Sequence, residues 1–330
     1  MGHVPQAVCI GEAMALLVPE QAGPLEDVTT FRHSYGGAEA NVARGLAALG
    51  FPSAWVSRVG ADGFGRRIVR SLAADGVHTS AVTVDPDRPT GLYVKEIGAD
   101  ATAMHYYRRG SAASALGPGL LDEPAVRALL DGAGLVHVSG ITAALSDSAL
   151  ALLHRLLAEP RRGRTVSFDL NWRPALWRDR DPKVLRDLCD AADVVLCGAD
   201  EAAAVLGTDD PLRLRALLPG PRTLVVKDAG RTATAVTADG CVTAERAPAV
   251  EVVEEVGAGD SFAAGYLAGA LRGDDQQRRL RLGHLAAAST LVVPDDHGAP
   301  PPHDRLQELL GCSPTAWAAT RVTASGVTTA

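Results

Sequence analysis

The sequence Val256-Gly257-Ala258-Gly259-Asp260-Ser261-Phe262 sets a carboxylate directly behind a glycine-rich turn. Residues 248–253 before it read as an extended segment, and residues 260–272 after it carry Phe262, Tyr266, Leu267, Ala270 and Leu271 at helical spacing. The glycines therefore fall at a helix N-terminus, where the first backbone N–H groups lack intrahelical partners and the dipole is positive. Such a turn stabilises phosphate or a developing negative charge, and Asp260 stands where it could accept a proton from a substrate hydroxyl. A tight turn with a capping aspartate is the plainer reading of the same residues. A second group is Gly36-Gly37 ahead of Asn41: the glycine pair allows close approach to the main chain, and Asn41 offers a donor and acceptors to hydroxyl groups. A third joins Tyr106-Tyr107-Arg108-Arg109 to Asp169-Leu170-Asn171-Trp172-Arg173. A planar guanidinium binds a carboxylate through two parallel hydrogen bonds; a solvated strand edge for Arg108 and Arg109, and a loop-fixing ion pair for Arg173, are the alternatives.

Short apolar runs alternate with helical ones along the chain and must position these groups. Strands are expected at residues 8–11, 54–59, 135–139, 165–169, 194–197 and 223–227, and helices at 38–49, 64–74, 123–133, 146–158, 182–192 and 200–206. That order predicts an α/β fold, a doubly wound, mostly parallel sheet with helices on both faces. Residues 13–35 and 89–110 break the rhythm; Gly91 to Ile97 partly alternates apolar and polar residues, as in a small separate β-sheet. The stretch 313–330 is rich in Ala, Thr and Ser and reads as a mobile tail after a domain of residues 1–312.

Taken together, Gly257-Ala258-Gly259-Asp260, the segment Tyr35-Gly36-Gly37-Ala38-Glu39-Ala40-Asn41 and Gly60-Ala61-Asp62-Gly63-Phe64-Gly65 resemble the signatures of the ribokinase-type (PfkB) carbohydrate kinases, over residues 8–310. The resemblance implies a ribokinase-like fold, with Asp260 as catalytic base and Gly257, Ala258 and Gly259 as an anion hole. It also implies that the small sheet is a lid over the sugar, whose outer face pairs with a second subunit. Tyr106, Arg108 and Arg173 look like the substrate-reading positions of the 2-keto-3-deoxygluconate kinases, with Gly36, Gly37, Asn41 and Tyr93 completing the pocket. The same resemblance implies ATP and Mg²⁺: Glu201 would organise magnesium through its waters, Lys227 and Gly230 would face the nucleotide, and residues 292–298 with His297 would line the adenine side. Two departures stand out. Glu254 occupies a position where the family usually has aspartate, which leaves a K⁺ requirement open, and Gly198 replaces an asparagine. The helix N-terminus is expected to keep Asp260 ionised near neutral pH.

The bulk properties exclude several classes. A length of 330 residues can bury a large core. The net charge of −7, with both signs spread along the chain, gives no basic face for nucleic acid. Five dispersed cysteines without a Cys-x-x-Cys pair indicate neither a disulfide scaffold nor a zinc site, and are read as reduced, mostly buried thiols. No apolar run is long enough to span a bilayer, so a cytoplasmic location is expected. The three lysines, Lys95, Lys183 and Lys227, fit no Walker loop, and no Gly-x-Gly-x-x-Gly follows the first strand. Three readings follow, in this order: a 2-keto-3-deoxygluconate kinase acting on a primary hydroxyl, a kinase of another small sugar such as fructose or ribose, and a non-catalytic sugar-binding regulator.

Overall fold

The computed structural model describes residues 5–98, 102–294 and 298–329. Its centre is an eight-stranded sheet in the order Val242–Arg246, Thr232–Thr237, Thr223–Asp228, Val194–Gly198, Thr165–Asp169, Leu135–Ser139, Ala7–Ile10 and Ser53–Val56. The six strands from Thr223–Asp228 to Ser53–Val56 run parallel; the two at the other edge are antiparallel. Because side chains alternate along a strand, successive residues of an inner strand enter opposite cores. Val8 and Ile10 enter one core with Val136, Val138 and Phe168. Ala7 and Cys9 enter the opposite core with Trp55, Leu135 and Leu196.

Helices cover both faces. Asp147–Ala158 and Val184–Ala191 bury Leu152, Leu156 and Leu188 on the first; Ala38–Ala48 and Ala258–Arg272 bury Leu46, Phe262 and Tyr266 on the second. The helix Gln276–Leu291, which the apolar pattern does not reveal, packs on Ala258–Arg272. Its first turns carry Arg278, Arg279 and Arg281, which interrupt the apolar spacing, yet Arg281 is buried.

The two segments that break the rhythm form one small sheet, in the order Phe31–Gly36, Met14–Pro19, Leu92–Ile97 and Thr102–Tyr107. Residues 313–329, expected as a mobile tail, instead form the helix Pro314–Ala318 and the hairpin Arg321–Thr323 with Gly326–Thr328. Arg321 and Val322 pair with Ala249 and Val250. The small polar composition conceals two apolar anchors, Trp317 and Val322, both buried. Among the described residues no helix is long and apolar enough to cross a membrane.

Candidate active site

In a parallel sheet the chain leaves each strand at its C-terminal end, and ligands collect in the crevice outside those ends. Here that edge presents Glu12, Asp169 and Lys227 to a cleft of ≈ 1050 Å³, closed on one side by the small sheet. The cleft brings together most of the residues singled out from sequence: Gly36, Gly37, Asn41, Tyr93, Tyr106, Arg108, Arg173, Glu201, Lys227, Gly257, Gly259 and Asp260. Gly230 lies outside its lining, and the left-handed residue of that turn is Ala229, at φ 43°. His297 falls outside the described residues.

The helix Ala258–Arg272 starts two residues earlier than its apolar pattern suggests, so Ala258, Gly259 and Asp260 form its first turn. Gly257 precedes it at φ 83°, a left-handed conformation that favours glycine. Asp260 therefore sits at the positive end of the helix. Asn41 Nδ2 donates to its Oδ2 at 2.8 Å, and Asn171 Nδ2 approaches Oδ1 at 3.4 Å. Asn171 reaches it from a backbone at φ 40°, which asparagine tolerates better than most residues. Burial, opposed by the Asn41 hydrogen bond and reinforced by the charge of Asp169, pushes the Asp260 carboxyl up to about 7. This corrects the expectation of an aspartate fully ionised at neutral pH: withdrawal from water outweighs the helix end.

Lys227 Nζ donates to Asp169 Oδ2 at 3.0 Å and lies 3.9 Å from where a Cβ on Gly259 would stand. Its ammonium thus adjoins the glycine turn. Burial works against its charge, yet Asp169 and Glu201 hold the pKa above that of a free lysine. Glu201 spends Oε2 on the Gly198 amide at 2.8 Å and faces Arg173 at 3.4 Å through Oε1. Gly198 is the N-cap of the helix Ala199–Leu206, and a Cβ there would stand 2.6 Å from Asp200 Oδ1.

Gly37 owes its type to packing rather than to unusual dihedrals. Its φ of 175° suits any residue, but a Cβ would lie 2.3 Å from the carbonyl oxygen of Glu12. Tyr93 stacks on Tyr106 with ring centroids 5.5 Å apart, which places an aromatic wall on the small-sheet side of the cleft. Glu254 pairs with Lys95 of the small-sheet strand Leu92–Ile97 and accepts from the Glu255 and Val256 amides, so the departing glutamate ties the small sheet to the loop leading into Gly257.

Residues 4–297 match the profile of the pfkB family carbohydrate kinases. The chain belongs to that family. It is 34% identical over 318 residues to the 2-dehydro-3-deoxygluconokinase of Bacillus subtilis strain 168, spanning 94% of this chain and 96% of that protein. It is 37% identical over 313 residues to the enzyme of the same name from Thermoproteus tenax, spanning 92% and 93%. Among solved structures, a 2-dehydro-3-deoxygluconokinase from Thermotoga maritima superimposes with a TM-score of 0.81 at 26% identity, covering 94% of this chain and 99% of that one. A putative ribokinase II from E. coli in complex with ATP and Mg²⁺ shares the fold, with a TM-score of 0.81 at 21% identity and coverage of 92% and 98%.

In this PfkB kinase three cleft residues carry roles that sequence reasoning left unassigned. Asp169 docks Lys227, and its Oδ1 is buried without a hydrogen-bond partner. Asn171 supports Asp260. Both belong to the Asp-x-Asn-x-Arg segment, where only the arginine drew a role. Glu12 gave no signal beyond interrupting an apolar run. Among the described residues no group of three or more His, Cys, Asp or Glu side chains could by itself hold a metal ion.

Proposed function

We propose that this kinase transfers the terminal phosphoryl group of ATP to a primary hydroxyl of 2-dehydro-3-deoxygluconate, the sugar acid also called 2-keto-3-deoxygluconate. The observation that carries the reading is the placement of Arg108 and Arg173 in the same cleft as Asp260 and the Gly257–Gly259 turn. Two guanidinium groups suit a carboxylate, while the base and helix end suit a hydroxyl and a phosphoryl group. The names of the two curated relatives support the same substrate.

In this reading the substrate's carboxylate lies toward Arg108 and Arg173, with Tyr93 and Tyr106 against the chain and the reacting hydroxyl at Asp260. Asn41 keeps a buried Oδ1 without a partner, an acceptor suited to a second hydroxyl. Asp260 takes the proton of the attacking hydroxyl. The amides of the helix N-terminus and the Lys227 ammonium offset charge on the phosphoryl group in transit. Magnesium fits this donor set as an ion brought on the nucleotide phosphates, with Glu201 receiving its waters, and when bound it supplies further neutralisation of phosphate charge. Closure of the lid excludes water from the transfer. The lid's outer face, where Tyr107 is 63% exposed, is the surface through which we propose that two copies associate.

A neutral sugar is the competing substrate, favoured by one observation: each arginine already faces a carboxylate, Arg108 that of Glu12 and Arg173 that of Glu201. The deciding experiment is ATP-dependent phosphorylation across 2-dehydro-3-deoxygluconate, fructose and ribose, with Arg173→Ala beside wild type. The sugar-acid reading expects preference for the keto acid, reduced in the variant. Preference for a neutral sugar, unaffected by the variant, would overturn it.

A further inference from the structure

Arg108 enters the cleft just after the last lid strand, and its guanidinium is already fixed there. Nη2 pairs with Glu12 Oε2, and the two side chains are 11% and 1% exposed. Glu12 lies two residues beyond the strand Ala7–Ile10, so it is anchored to the central sheet rather than to the lid. Its other oxygen, Oε1, accepts from Ser111 Oγ at 2.6 Å. A Cβ on Gly91, just before the strand Leu92–Ile97, would stand 2.9 Å from that oxygen. One buried carboxylate therefore touches the rigid sheet, the start of the second lid hairpin and the segment that returns from it.

A charge is buried at tolerable cost only when it is paired and hydrogen-bonded, and Glu12 meets both conditions through Arg108 and Ser111. The other carboxyl in the electrostatic neighbourhood of Arg108, Glu39, accepts from Ser139 and Thr142 at 2.7 Å each through one oxygen. Arg108 Nε and Glu12 Oε2 are both buried with no hydrogen-bond partner, so the contact between the two side chains is an ion pair. A guanidinium carries five N–H donors in a planar fork, so fixing one of them on Glu12 fixes the direction of the rest.

We infer that Glu12 is a positioning residue for substrate selection: it holds Arg108 rigid and charge-compensated, so that the remaining guanidinium donors form a preformed seat for the substrate's carboxylate. Arg173, 51% exposed, then supplies the net attraction, and Arg108 supplies geometry. The inference rests on the sugar-acid reading above. It makes the carboxylate site a joint product of sheet and lid, completed before the substrate arrives.

The test is Glu12→Gln in the full-length protein, which keeps the side chain's volume and an acceptor for Ser111 and removes the charge. The expected result is a KM for the keto acid raised about tenfold or more, with kcat and the KM for ATP little changed; the melting temperature falls as well, because Arg108 loses the buried charge that compensates it. A role confined to stability would lower the melting temperature and leave the keto-acid KM alone. An unchanged keto-acid KM overturns the inference; so does a lower one, which would mean that Glu12 competes with the substrate for Arg108. If Glu12→Gln does not fold, Ser111→Ala removes one hydrogen bond from Glu12 and leaves the pair in place; it should raise the same KM by about two- to fivefold, and an unchanged KM again overturns the inference. Wild-type preference for a neutral sugar sinks the sugar-acid reading itself. Wild-type preference for the keto acid, undiminished in the variants, sinks the inference alone.

Discussion

Replacing Asn41 by alanine tests whether Asp260 is the base and whether its surroundings set its pKa. The wild-type carboxyl, at about 7, accepts from Asn41 Nδ2 at 2.8 Å. A hydrogen bond to a charged group is worth about 1.5–3 kcal/mol, and water entering the cleft would recover roughly half. The net loss of about 0.75–1.5 kcal/mol corresponds to about one pKa unit or slightly less, at 1.36 kcal/mol per unit. The sign follows from the charge: Asn41 stabilises the carboxylate, so its removal raises the pKa to about 8. Because a base must be deprotonated, kcat/KM for the sugar should rise with pH through about 7 in wild type, and about one unit higher in Asn41→Ala. At pH 7 the ionised fraction falls from about a half to about a tenth, a decrease of about fivefold that vanishes above about pH 9. Removing a hydrogen bond from Asn41 to the sugar would lower the plateau without moving the limb, so the position of the limb isolates the effect on Asp260. Asp260→Asn should fold and bind the sugar yet lack the limb and nearly all turnover. A limb that stays in place in Asn41→Ala, or moves to lower pH, would refute the reasoning.

Two further predictions concern stability. Trp317 is buried, donates from Nε1 to the Arg246 carbonyl at 2.9 Å and lies under the Arg281 guanidinium at 4.9 Å; Trp317→Ala should cost about 3–5 kcal/mol in urea unfolding, whereas a mobile C-terminal segment would show almost no change. Glu159 is held by Arg127 and Arg164, whose hydrogen bonds lower its carboxyl from 4.5 to about 2 against the cost of burial. A depressed folded pKa stabilises above the unfolded value, and the stabilisation is lost as pH falls from about 4.5 to about 2. Glu159→Gln should therefore cost about 1–3 kcal/mol at pH 7 and almost nothing near pH 2; an equal cost at both ends would show that the ion pairs are not its source.

Much of the fold was legible because each element was chemically self-consistent. Residues 135–139 and 165–169 are β-like runs of strand length, and both are strands with those bounds. Helix 147–158 has Ser146 as its N-cap and leucines at helical spacing. The helix at 276–291 was harder to read because arginines occupy its early turns, and buried Arg281 meets Glu245, the Leu310 and Cys312 carbonyls and the Trp317 ring, all distant in sequence. The C-terminal segment failed for a related reason. Its composition is that of a tail, and its apolar Val322 finds most of its packing partners, Ala288, Val292 and Val250, far along the chain.

The candidate site divides in the same way. The sequence by itself determined the glycine turn with its aspartate, the Gly36-Gly37 approach, and the arginines at 108 and 173, because those groups announce their chemistry by type and by neighbours within a few residues. Only the tertiary structure decided what each of them faces. It set Asn41 on Asp260 across 219 residues, Lys227 on Asp169 across 58, and Ser111 on Glu12 across 99. The physical reason is that pKa and charge compensation depend on burial and on partners within a few ångströms, and in a parallel sheet those partners come from strand ends that the sequence keeps far apart.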